Sequence, residues 1–101
     1  MPLTASDGWK ICATYLAPAE GGRVLLFIHS LGKNREEWEP MASRAAKLGY
    51  GYIALDLRGH GESRVDIDGN KISYRDFNRS GVTNEYNQMT RDITAAIDFL
   101  A

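Results

Sequence analysis

Two short apolar runs, at residues 24–28 and 52–57, constrain the fold of this chain more than any other feature. Their β-branched, leucine and aromatic side chains predict strands that are covered on both faces, as in a parallel sheet. Between the runs, four apolar residues recur at the spacing of one helix face: Trp38, Met41, Ala45 and Leu48. Gly49 then ends that helix as a left-handed cap. Strand, helix and strand within about 35 residues predict a right-handed βαβ unit.

The flanking segments complete the predicted architecture. Near-alternating apolar residues at 9–16 predict another strand, and Asp68-Gly69 predicts a tight turn in a small hairpin. From about Asn84 the chain is expected to be helical, with a stripe of larger apolar residues: Tyr86, Met89, Ile93, Ile97 and Leu100. The sequence therefore predicts an α/β fold with three to four strands, two helices and a βαβ core.

Composition and charge exclude several classes of function. The chain has 101 residues, a formal net charge of -1, and 12 basic and 13 acidic residues that are interspersed rather than clustered. A nucleic-acid surface would need clustered lysine and arginine, so we expect no nucleic-acid partner. Cys12 is the single cysteine, and the two histidines lie in separate loops, so no metal site is expected. No apolar run is long enough to cross a membrane and no signal peptide is evident, which favours a cytoplasmic protein without a membrane partner.

Both apolar runs lead into segments that resemble known motifs. His29, Ser30, Leu31 and Gly32 resemble the His-Gly-x-Gly oxyanion loop of the α/β-hydrolases, with Ser30 in the place of the second-position glycine. Residues 56–63 resemble the Asp-x-Arg-Gly-His-Gly-x-Ser segment that follows a later strand of the same family. Two motifs at this separation, with a strand and a helix between them, make the chain similar to the N-terminal portion of an α/β-hydrolase. Its closest resemblance is to esterases, dienelactone hydrolases and serine peptidases.

This resemblance implies a chemistry and a role for each motif residue. The family hydrolyses an ester or related acyl bond through a serine acyl-enzyme, without a metal or another cofactor, on a small-molecule acyl substrate. The Leu31 backbone amide would be an oxyanion donor. The other motif residues would shape the two loops: His29, Ser30, Gly32, Asp56, Arg58, Gly59, His60 and Gly61. Asp56 and Arg58 are expected to act through structural ion pairs. Three neighbouring acidic residues are interpreted as a solvated face near a helix N-terminus: Glu36, Glu37 and Glu39.

No nucleophile motif is present in the sequence. The Gly-x-Ser-x-Gly elbow does not occur, and Ser30, Ser63 and Ser80 lie in the wrong context for it. In the family, the strand that carries the elbow would begin just past Ala101. Residues 1–101 are therefore interpreted as a single partial domain, truncated before the nucleophile elbow and inactive alone. The alternative is a non-catalytic binding or oligomerising module that associates with itself through an exposed edge at residues 24–28.

Overall fold

The computed structural model describes residues 1–77 and 85–100, and this part of the chain contains four strands and two α-helices. In chain order they are β1 (Pro2–Thr4), β2 (Lys10–Leu16), β3 (Val24–Phe27), α1 (Glu39–Lys47), β4 (Gly51–Leu55) and α2 (Glu85–Leu100). Single 3₁₀ turns occur at Arg35–Trp38 and Tyr74–Asp76. The predicted α/β architecture with up to four strands and two helices is confirmed.

The four strands form one mixed sheet in the order β1-β2-β4-β3. Strand β2 is antiparallel to both of its neighbours, whereas β3 and β4 are parallel, with Val24 opposite Gly51 and Phe27 opposite Ala54. Because β3 and β4 are parallel neighbours joined through α1, their carboxyl ends lie at the same edge of the sheet. The two motif segments that follow these strands are therefore brought side by side.

The core lies on both faces of the sheet. Along β4, Ile53 and Leu55 pack into the larger cluster, which also receives Ala96 from α2. Ala54 points to the opposite face, where it packs with Phe27 and Ala42 of α1. This alternation follows from the two-residue period of a strand, and it places the two helices on opposite faces of the sheet.

The predicted apolar face of the first helix is wrong in part. Met41 is 50% exposed and Leu48 is 74% exposed, whereas Ala42 and Ala45 are buried. Ala42 packs against Phe27 and Ala54, because its small side chain allows the helix to approach the sheet closely. The large side chains at helical spacing consequently lie to the side of the packed face.

Strand β3 is less buried than its apolar sequence predicts. Only Phe27 is buried, Leu25 is 36% exposed, and Val24 and Leu26 are intermediate. In the described part of the chain, β3 pairs with β4 alone and forms one edge of the sheet. Leu26 and Phe27 pack against the clusters on the two faces of the sheet, so the prediction of a strand covered on both faces is met only in part.

The second helix packs on the sheet through a mixed set of residues. Met89, Ile93 and Leu100 contact the core as the apolar stripe predicts, but Ile97 is 53% exposed. The fully buried positions are instead Ala96 and the charged residue Asp92. The side chain of Tyr86, together with Ser80 and Asn84, lies outside the described residues.

Candidate functional site

Asp56 ties the start of the second motif segment to Arg35, which follows the first segment in the chain. Its carboxylate is almost fully buried and accepts hydrogen bonds from the backbone N–H groups of Arg35 at 2.7 Å and Glu62 at 2.9 Å. The Arg35 guanidinium forms an ion pair with the same carboxylate and a second ion pair with Glu62 at 2.6 Å. A Cβ atom at Gly61, which has a φ of +50°, would overlap the Asp56 carboxylate. Only glycine therefore fits this cradle.

Arg58 is fully buried between two carboxylates that come from distant parts of the chain. Its Nη2 lies 2.8 Å from Asp92 of α2, and its Nη1 lies 2.7 Å from Asp7 in the loop between β1 and β2. The Arg58 backbone N–H also donates to Asp92 at 2.9 Å, and the guanidinium lies 5.0 Å from the centre of the Trp9 ring. Arg58 thus forms ion pairs with two carboxylates that are far apart in the sequence.

The two carboxylates respond differently to this environment. Burial raises the pKa of Asp92, although its hydrogen bonds with Arg58 act in the opposite direction. Asp7 is more exposed, and its hydrogen bond with Arg58 holds its pKa below the usual range. Desolvation is therefore the main cause of the pKa shift of Asp92, whereas the hydrogen bond with Arg58 is the main cause of the pKa shift of Asp7.

The two histidines occupy the contact between the motif segments. Their ring centres are 4.7 Å apart, and both side chains are buried. The His29 Nε2 atom accepts the Leu57 N–H at 3.0 Å, and its Nδ1 lies 2.8 Å from the Ser30 carbonyl oxygen. Because a backbone N–H needs an acceptor and a carbonyl needs a donor, these partners assign a neutral ring that carries its proton on Nδ1. His29 therefore braces the loop, as the resemblance implies.

Residues 30–33 form a type II turn. The Lys33 N–H donates to the Ser30 carbonyl oxygen at 3.0 Å. Gly32 has a φ of +85°, and Leu31, like every other non-glycine residue that the structure describes, has a negative φ. A negative φ at the second position and a positive φ at the third define this turn type and favour glycine third. A Cβ atom at Gly32 would also lie 3.0 Å from the Tyr74 hydroxyl group.

Glu37 holds the start of this turn. Its carboxylate accepts the Ser30 backbone N–H at 2.9 Å and the Ser30 hydroxyl at 2.8 Å. These two hydrogen bonds lower the pKa of Glu37. The interpretation of Glu37 as one of three solvated acidic residues is therefore incomplete, because this carboxylate, although exposed, has a specific partner.

Each N–H of the turn can be traced to an acceptor except one. The Ser30 amide donates to Glu37, the Gly32 amide donates to His60 Nε2 at 2.9 Å, and the Lys33 amide closes the turn. Within residues 1–77 and 85–100, the Leu31 amide donates to no acceptor. An open cleft of about 380 Å³ adjoins the turn and is lined by four of its neighbours: Gly32, Lys33, Asn34 and Glu37.

The direction of the Leu31 N–H is fixed by its own peptide unit. The Ser30 carbonyl oxygen is held by both His29 Nδ1 and the Lys33 N–H. Since the peptide is planar and trans, the Leu31 N–H points away from that carbonyl. The predicted oxyanion donor is thus a backbone amide whose orientation is fixed on its carbonyl side.

Gly59 lets two segments approach closely. It has a φ of +78°, and a Cβ atom there would lie 2.6 Å from Phe77 and 2.7 Å from the Tyr74 backbone nitrogen. The Tyr74 N–H donates to the Gly59 carbonyl oxygen at 2.9 Å. Tyr74 is thereby placed with its ring stacked on His60, the ring centres being 4.5 Å apart.

Sequence reasoning missed four residues that organise this site: Asp7, Arg35, Glu37 and Asp92. One signal was available for Asp92, since a charged residue lay beside the apolar stripe of the second helix. The other three lie in polar segments where nothing in the local pattern marks them. Each binds a residue of the two motif segments, so they become visible only when the chain is folded.

No group of three or more side chains in residues 1–77 and 85–100 is arranged to hold a metal ion. Neither helix in that part of the chain combines the length and apolar character that crossing a bilayer requires.

Comparison with solved structures identifies similar folds. An esterase from Exiguobacterium antarcticum is 26% identical, with a TM-score of 0.68, over 99% of this chain and 31% of that protein. An α/β-hydrolase from Sphaerobacter thermophilus is 22% identical, with a TM-score of 0.64, over 98% of this chain and 31% of that protein. A bottromycin epimerase in complex with bottromycin A2 is 23% identical, with a TM-score of 0.66, over 100% of this chain and 34% of that protein.

The chain thus spans about a third of the length of these neighbours. The Sphaerobacter thermophilus hydrolase and the bottromycin epimerase are below 25% identity and establish the fold alone. A comparison with curated proteins finds no significant match. The sequence pattern of the α/β-hydrolase fold matches residues 23–98, which include both motif segments and most of α2. The chain therefore belongs to the α/β-hydrolase fold family.

Proposed function

We propose that the two motif segments, residues 29–32 and 56–63, form the oxyanion side of the active site of an esterase-like serine hydrolase. In this active site the Leu31 amide stabilises the developing oxyanion. The observation that carries this proposal is the oriented Leu31 N–H, which has no acceptor among residues 1–77 and 85–100, in a turn whose other amides have acceptors. A fixed N–H aimed at a developing negative charge lowers a reaction barrier because it needs no reorganisation during the reaction. An open cleft of about 380 Å³ lies beside the turn.

Membership of the family and similarity to an esterase support an acyl substrate with an ester or related bond. In this proposal the hydrolysis proceeds through a serine acyl-enzyme, and the serine belongs to a Gly-x-Ser-x-Gly motif that the 101 residues lack. The two motif segments contribute the oxyanion donor and its supports. The nucleophile, its acid and the catalytic histidine come from outside this sequence, and no cofactor is required.

Ester hydrolysis and phosphonate labelling test the proposal. We expect the purified 101-residue chain to give no turnover of p-nitrophenyl acetate, because it has no nucleophile elbow. A longer chain that contains a Gly-x-Ser-x-Gly motif after residue 101 should turn the ester over and react with a serine-directed phosphonate. Phosphonate-sensitive turnover by the 101 residues alone would contradict the assignment of the nucleophile to another segment. A longer chain that reacts with neither reagent would refute the hydrolase itself.

A second candidate function is self-association without catalysis. Its basis is strand β3, an edge of the described sheet whose sequence Val-Leu-Leu-Phe includes no charge and no proline. Leu25 is 36% exposed on this strand. Natural edge strands usually carry charges, prolines or bulges that prevent pairing with other chains. A second copy of this chain would be the partner that pairs with β3.

Light scattering on the purified 101-residue chain tests this second function. We expect a dimer that the Leu25→Lys substitution converts to a monomer, because a charge at an exposed edge position opposes strand pairing. Leu48→Lys is the matched control, since Leu48 is more exposed but lies at the end of α1, away from the edge. A wild-type chain that remains monomeric at high concentration would rule the association out.

A further inference from the structure

His60 holds the amide that follows Leu31 in the turn. The ring is 1% exposed, and its Nδ1 lies 3.1 Å from the Arg58 carbonyl oxygen. A carbonyl needs a donor, so Nδ1 carries the proton and Nε2 is left as an acceptor. The Gly32 N–H donates to this Nε2 at 2.9 Å. A buried neutral histidine is thus the only acceptor of the Gly32 amide in the described residues.

The orientation of the Leu31–Gly32 peptide distinguishes the two common turn types. Between types I and II, the torsion angles on either side of this peptide differ by about 150° or more, so that the peptide is flipped over. In the type II form seen here, the Gly32 N–H points at His60 Nε2. In the type I form it would point away from His60, and the hydrogen bond would be lost. His60 therefore stabilises one of the two forms selectively.

We propose that His60 is a positioning residue that holds the turn around Leu31 in its type II form, and that protonation of His60 releases the turn. The inference deepens the proposed function and rests on it, because the turn so held carries the Leu31 amide. When Nε2 gains a proton it becomes a donor and faces the Gly32 N–H, which is also a donor. Two donors repel, so the hydrogen bond that selects the type II form is replaced by an unfavourable contact.

The charged groups around His60 oppose its protonation. Burial is the main cause that lowers the pKa of His60, and the neighbouring His29 and Arg64 act in the same direction. The hydrogen bond to the Arg58 carbonyl acts oppositely, and the Tyr74 ring is stacked on the other side of the imidazole. Because the folded-state pKa is lowered, the stability gained from the neutral ring is present above pH 6.5, the ordinary value for histidine, and is lost as the pH falls through the folded-state pKa.

The amide signal of Gly32 in a ¹H–¹⁵N NMR titration reports this event directly, without any catalytic turnover. Between about pH 8 and pH 4 we expect the Gly32 signal of the full chain to shift with a midpoint below 6.5 that matches the titration of the His60 ring. Gly21 serves as the internal reference, since it also has a positive φ but has no neighbour within 4 Å of its Cβ position. A Gly32 signal that does not follow the His60 titration would overturn the inference.

Two substitutions at His60 separate the effect of its hydrogen-bond acceptor from the effect of its ring packing. His60→Gln can supply a carbonyl oxygen that accepts the Gly32 N–H but does not titrate, so protection of Gly32 from hydrogen exchange should persist and its pH dependence should disappear. His60→Phe keeps a ring that can stack on Tyr74 but has no acceptor, so Gly32 should exchange about two- to tenfold faster. Unchanged exchange in His60→Phe would show that packing alone holds the turn and would reject the positioning role.

The outcomes also distinguish this inference from the proposed function. The behaviour of Gly32 depends only on the folded turn, whereas hydrolysis depends on the Leu31 amide and on a nucleophile from outside these residues. If Gly32 follows His60 but the longer chain hydrolyses no ester, the positioning role stands and the hydrolase proposal fails. If the longer chain hydrolyses the ester but the Gly32 signal does not respond to His60, the hydrolase proposal stands and the positioning role fails.

Discussion

Replacing Arg58 with methionine should lower the free energy of unfolding by about 3–5 kcal/mol, which is the typical cost of removing one partner from a buried ion pair. Arg58 and Asp92 are both 0% exposed, so the substitution leaves the Asp92 carboxylate buried without its counter-ion. The variant also removes the partner of Asp7 and the contact with the Trp9 ring.

Urea unfolding of wild type and variant measures this loss. Arg44→Met is the matched control, because Arg44 is exposed on α1 and the same chemical change should cost less than about 0.5 kcal/mol there. The double variant Arg58→Met with Asp92→Leu should lose less than the sum of the single variants, because it leaves no uncompensated charge from this pair. If Arg58→Met lowers the free energy of unfolding no more than Arg44→Met does, the ion pairs of Arg58 contribute little to stability.

The effect of Arg58→Met should also depend on pH in a defined direction. The raised pKa of Asp92 means that its ionisation costs stability as the pH rises above its ordinary value of 3.8, and loss of Arg58 increases this cost. The lowered pKa of Asp7 gives the wild type stability that is present above 3.8 and lost as the pH falls through the folded-state pKa. The Asp92 effect makes the deficit of the variant smaller at about pH 4 than at about pH 7, and the Asp7 effect reduces the deficit further below pH 3.8.

Leu31→Pro should lower kcat for ester hydrolysis by about 100- to 1000-fold in a chain that also contains the nucleophile, because removal of one oxyanion donor has this effect in serine hydrolases. Proline lacks the N–H, and its fixed φ suits the second position of a type II turn. The substitution therefore removes the proposed donor while the turn that Lys33 closes onto Ser30 is retained. Binding of the ground-state substrate should change little, so the loss should appear in kcat rather than KM.

Leu31→Ala is the control for this prediction. It keeps the backbone N–H and removes most of a side chain that is 56% exposed. We expect its kcat to remain close to that of the wild type, and both variants should unfold near the wild-type urea concentration. A Leu31→Pro variant that retains hydrolysis within a few-fold would assign the oxyanion donor to another group.

The parts of the fold that depend on local pattern were predictable from the sequence. The strand at residues 24–28, the turn at Asp68-Gly69 and the cap at Gly49 were all marked by their own residues, and the structure has each of them within a residue. The packed face of α1 was predictable only in part: the spacing correctly included Ala45, but it cannot tell whether the sheet will meet Met41 and Leu48 or Ala42. That choice depends on the shape of the partner surface.

The motif residues were likewise easier to identify than their partners. The motif predicted that Arg58 is structural, but the pair with Asp92 joins residues 34 positions apart, and that with Asp7 joins residues 51 positions apart. No periodic pattern links such positions. The orientation of the Leu31 amide was also invisible in the sequence, since it follows from the hydrogen bonds that hold the Ser30 carbonyl oxygen, one from His29 Nδ1 and one from the Lys33 N–H.

The burial of Arg58 has a consequence for how this chain can fold. The guanidinium can leave water at an acceptable cost only when both carboxylates are in place, and these come from the first loop and from the last helix. Neither the N-terminal hairpin nor the βαβ unit can complete this arrangement before α2 docks. We therefore expect the two ends of the chain to become ordered in a single cooperative step, with loop closure over most of its length as the slow event.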